Sequence, residues 1–100
     1  MISIIVVNYN TGPLLKECLQ SILDHQEDEA LEVIVVDSNS SDDSFNQTIN
    51  DFEEHSIFNF IKLDSNVGFG RSNNLGYKHA SGEYIFLLNP DTQIKTGTLS

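Results

Sequence analysis

Two hydrophobic rhythms alternate along this chain. Ile4-Ile5-Val6-Val7, Val33-Ile34-Val35-Val36 and Tyr84-Ile85-Phe86-Leu87-Leu88 are short unbroken runs of β-branched, aliphatic or aromatic residues, and Phe58, Phe60, Ile61 and Leu63 form a looser fourth. Such runs read as strands, and the last unbroken run, Tyr84–Leu88, as one buried on both faces. Between them the period lengthens. Leu14, Leu15, Cys18, Leu19, Ile22 and Leu23 recur as the apolar stripe of a helix, with Thr11 as its cap and Pro13 near its first position. A weaker helical pattern runs through Phe45, Ile49 and Phe52, and a third helix is expected from Arg71 to Ala80, with Leu75 and either Tyr77 or Ala80 turned inward. Gly76 inside it costs about 1 kcal/mol against alanine, which a close backbone approach would explain.

Polar clusters mark the joints. Asn8-Tyr9-Asn10-Thr11-Gly12-Pro13, Asp37-Ser38-Asn39-Ser40-Ser41-Asp42-Asp43, Asp64-Ser65-Asn66 and Asn89-Pro90-Asp91 each follow a strand. Gly82 reads as a helix C-cap. Asp24 to Glu32, with five carboxylates, reads as a solvated loop that also holds the isolated His25. The order is therefore β-α-β-α-β-α-β. Connections of this kind are right-handed crossovers, so the expected fold class is α/β: about four mostly parallel strands covered by helices, in a single domain over residues 1–100.

In a parallel sheet the loops that follow the strands gather along one edge, where open α/β sheets bind ligands. That edge collects Asn8, Tyr9, Asn10, Asp37, Asn39, the segment Asp64 to Arg71, and Asn89-Pro90-Asp91. Tyr9 could stack on a planar base or close the core edge, and Asp37 could accept from ring N–H groups or merely hold a turn. Arg71 could pair with phosphate or remain a surface cation, although a helix start disfavours it by dipole. Asn89 could satisfy loop backbone, whereas Asp91 has little structural motive after Pro90. It suits a divalent metal bridging a diphosphate. Together these describe a nucleoside-diphosphate site.

Charge narrows the partners. Fifteen acidic against five basic residues give a net charge of −10, which argues against nucleic acid and against an anionic membrane surface. The single cysteine, Cys18, permits no internal disulfide and fits a reducing cytoplasm. Met1–Val7 lacks the features of a signal peptide, and no segment reaches the ~20 apolar residues of a membrane helix. There is no G-x-G-x-x-G after the first strand and no Gly-Lys-Ser/Thr, so dinucleotide and Walker-type readings fall away. A receiver-type reading fails on Asn8 and Asn10, which stand where an acidic cluster would be needed.

Val6-Val7-Asn8-Tyr9-Asn10, Val35-Val36-Asp37-Ser38-Asn39-Ser40, Asn66-Val67-Gly68-Phe69-Gly70-Arg71-Ser72-Asn73-Asn74-Leu75-Gly76 and Gly82 to Thr92 resemble successive motifs of family 2 glycosyltransferases, with rhamnosyl- and galactofuranosyltransferase-like bacterial members nearest in pattern. The resemblance implies the Rossmann-like half of a GT-A fold and an inverting sugar transfer from a UDP- or dTDP-sugar to a glycan or lipid-linked acceptor. It implies nucleotide contacts from Asn8, Tyr9, Asn10, Asp37, Asn39, Gly70, Arg71 and Asn74. Asp91 and Asn89 would bind Mn²⁺ or Mg²⁺, with Asn89 standing where the family's D-x-D motif begins with aspartate. The base that deprotonates the acceptor would lie beyond Ser100, making this chain the donor-binding, N-terminal part of an enzyme and inactive alone. The expected location is cytoplasmic, with the inner face of the membrane open to a full-length protein. The competing expectation is a non-catalytic α/β module that assembles through its exposed sheet edge, and a homo-oligomer is open to either reading.

Overall fold

The computed structural model describes residues 2–25 and 31–88. They form β1 (Ile2–Asn8), α1 (Leu14–His25), β2 (Leu31–Asp37), α2 (Ser44–Phe52), β3 (Phe58–Lys62), α3 (Phe69–His79) and β4 (Tyr84–Leu88). The strands make one parallel sheet in the order β3-β2-β1-β4. This is the alternating α/β architecture that the hydrophobic pattern predicts.

Alternation along each strand divides the sheet's two faces. Ile2, Ile4, Val6, Val33 and Val35 face the core shared with Leu15, Cys18, Leu19 and Ile22 of α1 and Phe45 and Phe52 of α2. Cys18 is fully buried there as a packing residue. Phe58 and Phe60 extend this core with edge-to-face contacts to Phe52 and Phe45 at 5.4 and 5.9 Å. On the opposite face α3 lies over β1 and β2. A Cβ placed on Gly76 would sit 2.6 Å from Ile5 Cγ2 and 3.4 Å from Val36 Cγ2, so the expected close approach is real. Buried Ser72 and Asn73 share the inward side of α3, while Tyr77 points outward and is largely exposed. Small residues face the sheet because the helix lies too close for a ring.

Four local expectations are corrected. Tyr84–Leu88 is not buried on both faces: Tyr84, Phe86 and Leu87 are exposed, and among the described residues β4 is the edge of the sheet, paired with β1. Thr11 does not cap α1 through its hydroxyl, which donates instead to Asn8 Oδ1. Ala80, in extended conformation, ends α3, and the Gly82 amide donates to Ser3 Oγ at 2.8 Å. Glu32 belongs to β2, and residues 26–30 of the expected acidic loop lie outside the described residues.

Glu32 closes the amino end of the sheet. Its Oε1 accepts from Ser3 Oγ at 2.6 Å and from the Ser81 amide at 2.5 Å, and its Oε2 accepts from Ser81 Oγ at 3.0 Å. Burial pushes its pKa up, but hydrogen bonds from Ser3, Ser81 and Gly82 outweigh that and hold the carboxyl below the ordinary glutamate value of 4.5. A depressed folded-state pKa contributes stability that is present above 4.5 and is lost as pH falls through the folded value. Melting curves should therefore shift downward below that pH, and Glu32→Gln should weaken this acid dependence. An identical pH profile in the variant would contradict this role of the Glu32 carboxylate.

Candidate functional site

The order β3-β2-β1-β4 reverses direction at β1: the chain steps outward to β2 and β3, then returns across α3 to the other side of β1. Such a switch point opens a crevice at the carboxyl ends of the two strands that part there. The loop after β1 borders it, and Leu88 ends β4 on its other side. Asn89 and Asp91, expected to hold a metal, lie outside the described residues. Among the described residues no group of three or more His, Cys, Asp or Glu could hold a metal ion.

The polar rim is built in two layers. The lower layer is buried. Asn8, the last residue of β1, is fully buried, and its Nδ2 donates to Asp37 Oδ1 at 2.8 Å and to Ser40 Oγ at 3.2 Å. Asp37 ends β2 and is 1% exposed. Its Oδ1 also accepts from Ser40 Oγ at 2.5 Å, and its Oδ2 accepts from the Ser40 amide at 3.1 Å. The turn after β2 is thus folded back around a carboxylate. Asn10 joins the two loops from the other side: its Oδ1 accepts from the amides of Ser41 and Asp42 at 2.7 and 3.1 Å, and its own amide donates to Ser40 Oγ at 3.0 Å. The Gly12 amide donates to Asp42 Oδ2 at 3.1 Å.

The upper layer is open. Tyr9 is 48% exposed, and Asn39, Gly70, Arg71 and Asn74 are exposed as well. Asn10 and Asn39 hold left-handed backbone at φ 51° and 60°, a conformation that asparagine tolerates better than most residues. It turns both loops sharply at the rim. Gly68, at φ 86°, sets the entry of α3, and Gly70 and Arg71 follow in its first turn. A Cβ on Gly70 would meet nothing within 4 Å, so the chain's own packing does not require glycine there. Arg71 and Asn74 line a groove of about 360 Å³ with Val67, Leu75 and Lys78.

The expected site residues therefore divide by burial. Asn8 and Asp37 form the foundation, and Tyr9, Asn39, Gly70, Arg71 and Asn74 form the surface, with Asn10 between them. The reading from sequence missed Ser38, Ser40 and Asn66 as individual contributors. Their signal was weak: small polar residues in turn-rich runs, whose partners lie in another loop.

The sequence pattern of Glycosyl transferase family 2 matches residues 3–100. Poly-beta-1,6-N-acetyl-D-glucosamine synthase of Staphylococcus epidermidis is 34% identical over 93% of this chain and 22% of its own length. The GalNAc(5)-diNAcBac-PP-undecaprenol beta-1,3-glucosyltransferase of Campylobacter jejuni is 34% identical over 99% of this chain and 32% of its own. The chain thus spans about a fifth to a third of the length of these curated relatives. Among solved structures, S. aureus TarS 1-349 in complex with UDP superposes with a TM-score of 0.87 at 28% identity, covering 98% of this chain and 29% of that one. The mannosyltransferase PcManGT from Pyrobaculum calidifontis, in complex with GDP-Man and Mn²⁺, gives 0.81 at 29% identity, covering 90% and 27%. The parallel Rossmann-like sheet is the same GT-A arrangement as in TarS.

Proposed function

The chain belongs to glycosyl transferase family 2, and on that premise we propose that its rim is the donor half of a glycosyltransferase site, built for a nucleoside diphosphate sugar. The observation that carries this reading is the exposed set Tyr9, Asn39, Arg71 and Asn74, ranged over a buried hydrogen-bonded base at the sheet's switch point. Tyr9 offers a ring face to a base, a contact worth about 1–3 kcal/mol where it has been measured. Asn39 and Asn10 offer amides to the base or ribose. Arg71 and the amino end of α3 face the diphosphate, whose charge they balance. Gly70 leaves room for the ligand against the backbone. Asn8 and Asp37 hold these loops in place from below.

The reaction we assign is inverting transfer. An acceptor hydroxyl attacks the anomeric carbon, the bond from that carbon to the phosphate oxygen breaks, and its electron pair leaves with the nucleoside diphosphate. The acceptor proton passes to a carboxylate base, which we place beyond Ser100 in an acceptor-binding part. The chain is on this reading the N-terminal, donor-binding part of a longer enzyme. We assign Asp91 and Asn89 to Mn²⁺ or Mg²⁺, which would supply further positive charge to the departing diphosphate. PcManGT, solved with GDP-Man and Mn²⁺, and TarS, solved with UDP and with UDP-GlcNAc, support the class of donor. The donor proposed here is a UDP- or dTDP-sugar, and the acceptor a glycan or lipid-linked saccharide.

Among the described residues no helix is long and apolar enough to cross a membrane. Among the described residues β4 is the sheet's edge, and its exposed Tyr84, Phe86 and Leu87 favour one addition, a second copy of this chain along that edge. Calorimetric titration of the chain with UDP and dTDP, with and without Mn²⁺, tests the donor assignment. Binding should strengthen with Mn²⁺, and Asp91→Ala should abolish that dependence. Binding by neither nucleotide at millimolar concentration would leave the interaction-module reading in its place.

A further inference from the structure

Resting on the donor-site reading, we propose that Ser38 and Asn66 are a positioning pair that aims the first turn of α3, with Arg71 and Asn74, at the ligand. Ser38 stands just past β2 and is 2% exposed. It touches all three loops of the rim. Its amide donates to the Asn8 carbonyl at 2.9 Å, and its Oγ donates to Asn66 Oδ1 at 2.9 Å and accepts from the Val67 amide at 3.3 Å. Asn66 Oδ1 in turn accepts from the Gly68 amide at 3.0 Å. A hydrogen-bonded chain therefore runs from the end of β1, through the turn after β2, to the entry of α3.

The entry of α3 depends on that chain. Gly68 is its N-cap residue, and no side chain caps the helix there. Glycine at 68 and 70 gives the segment wide backbone freedom, which an anchor must remove. Arg71 makes no ion pair among the described residues, so none of their charges fixes it. Its direction is inherited from the helix start, and the helix start is held by an amide oxygen and a hydroxyl. Ser38 and Asn66 need not touch the nucleotide for their loss to misplace the groups that do.

Amide hydrogen exchange and UDP calorimetry on Ser38→Ala, Asn66→Ala, Asn66→Asp and the double alanine variant test this. Each single alanine variant should speed exchange at Val67, Gly68 and the first turn of α3 by about tenfold, and weaken UDP by a similar factor, the scale of one lost hydrogen bond. Asn66→Asp keeps the acceptor and should restore slow exchange. The double variant should bind no more weakly than the worse single, because both changes cut one chain. Unchanged exchange in Asn66→Ala, fast exchange in Asn66→Asp, or affinity losses that multiply in the double variant would each overturn the pair. A wild-type chain that binds neither UDP nor dTDP would instead overturn the donor reading, and with it the purpose given to the pair, while the exchange data would still report on the anchor.

Discussion

Gly76→Val will lower the melting temperature of this chain by on the order of 15 °C, the shift expected in a domain of this size for about 3 kcal/mol. The Cβ alone would lie 2.6 Å from Ile5 Cγ2, closer than two carbons can approach. Ile5 cannot swing aside. It is fully buried in the central strand β1, and its branched Cβ leaves it few rotamers. Helix α3 must lift instead, opening the face it shares with Ile5 and Val36. Valine adds two further methyl groups and has weaker helix propensity than alanine. Gly76→Ala should fall in between, since its helix gain of about 1 kcal/mol partly offsets the same clash. Thermal unfolding followed by far-ultraviolet circular dichroism measures both. A valine variant as stable as the parent would mean that α3 does not lie against Ile5.

Asp37→Ala will cost about 3 kcal/mol of stability and remove nucleotide binding with it. Three donors converge on this carboxylate: Asn8 Nδ2, the Ser40 amide and Ser40 Oγ. Alanine leaves them without their shared acceptor in a place that water scarcely reaches. Asp37→Asn should also destabilise, because one acceptor becomes an NH₂ group facing other donors. A contact residue and a foundation residue differ here. Tyr9→Ala should weaken nucleotide while leaving the melting temperature within a few degrees, whereas Asp37→Ala should change both. Chemical denaturation beside calorimetry separates them. Full stability in Asp37→Ala together with lost binding would make Asp37 a direct ligand contact.

The sequence carried the architecture because its strands and helices differ in period. Ile4–Val7 and Val33–Val36 are too short and too branched for helices, and the stripe from Leu14 to Leu23 suits nothing else. What escaped it was burial along the third dimension. Tyr84–Leu88 has the composition of an inner strand, yet composition does not say which neighbours a strand finds, and among the described residues β4 lies at the edge beside β1. Glu32 looked like one more carboxylate in an acidic stretch. Its seat in β2 depends on Ser3 and Ser81, far away in sequence. The rim was legible as a set of loops, since parallel strands must deliver their exits to one edge. Its two layers were not. Asp37 and Tyr9 both stand in turn-rich runs after a strand, and only the fold decides that one is a keystone and the other faces solvent.

On the proposed donor-site reading, the nucleotide lies across the loops that follow β1, β2 and β3. Its most direct test is a titration of the isotopically labelled chain with UDP, followed by amide and side-chain chemical shifts. Shifts concentrated at Tyr9, Asn10, Asn39, Gly70, Arg71 and Asn74, with the Glu32–Ser81 end silent, are the predicted result. Saturable shifts at that opposite end, with the rim unmoved, would contradict it.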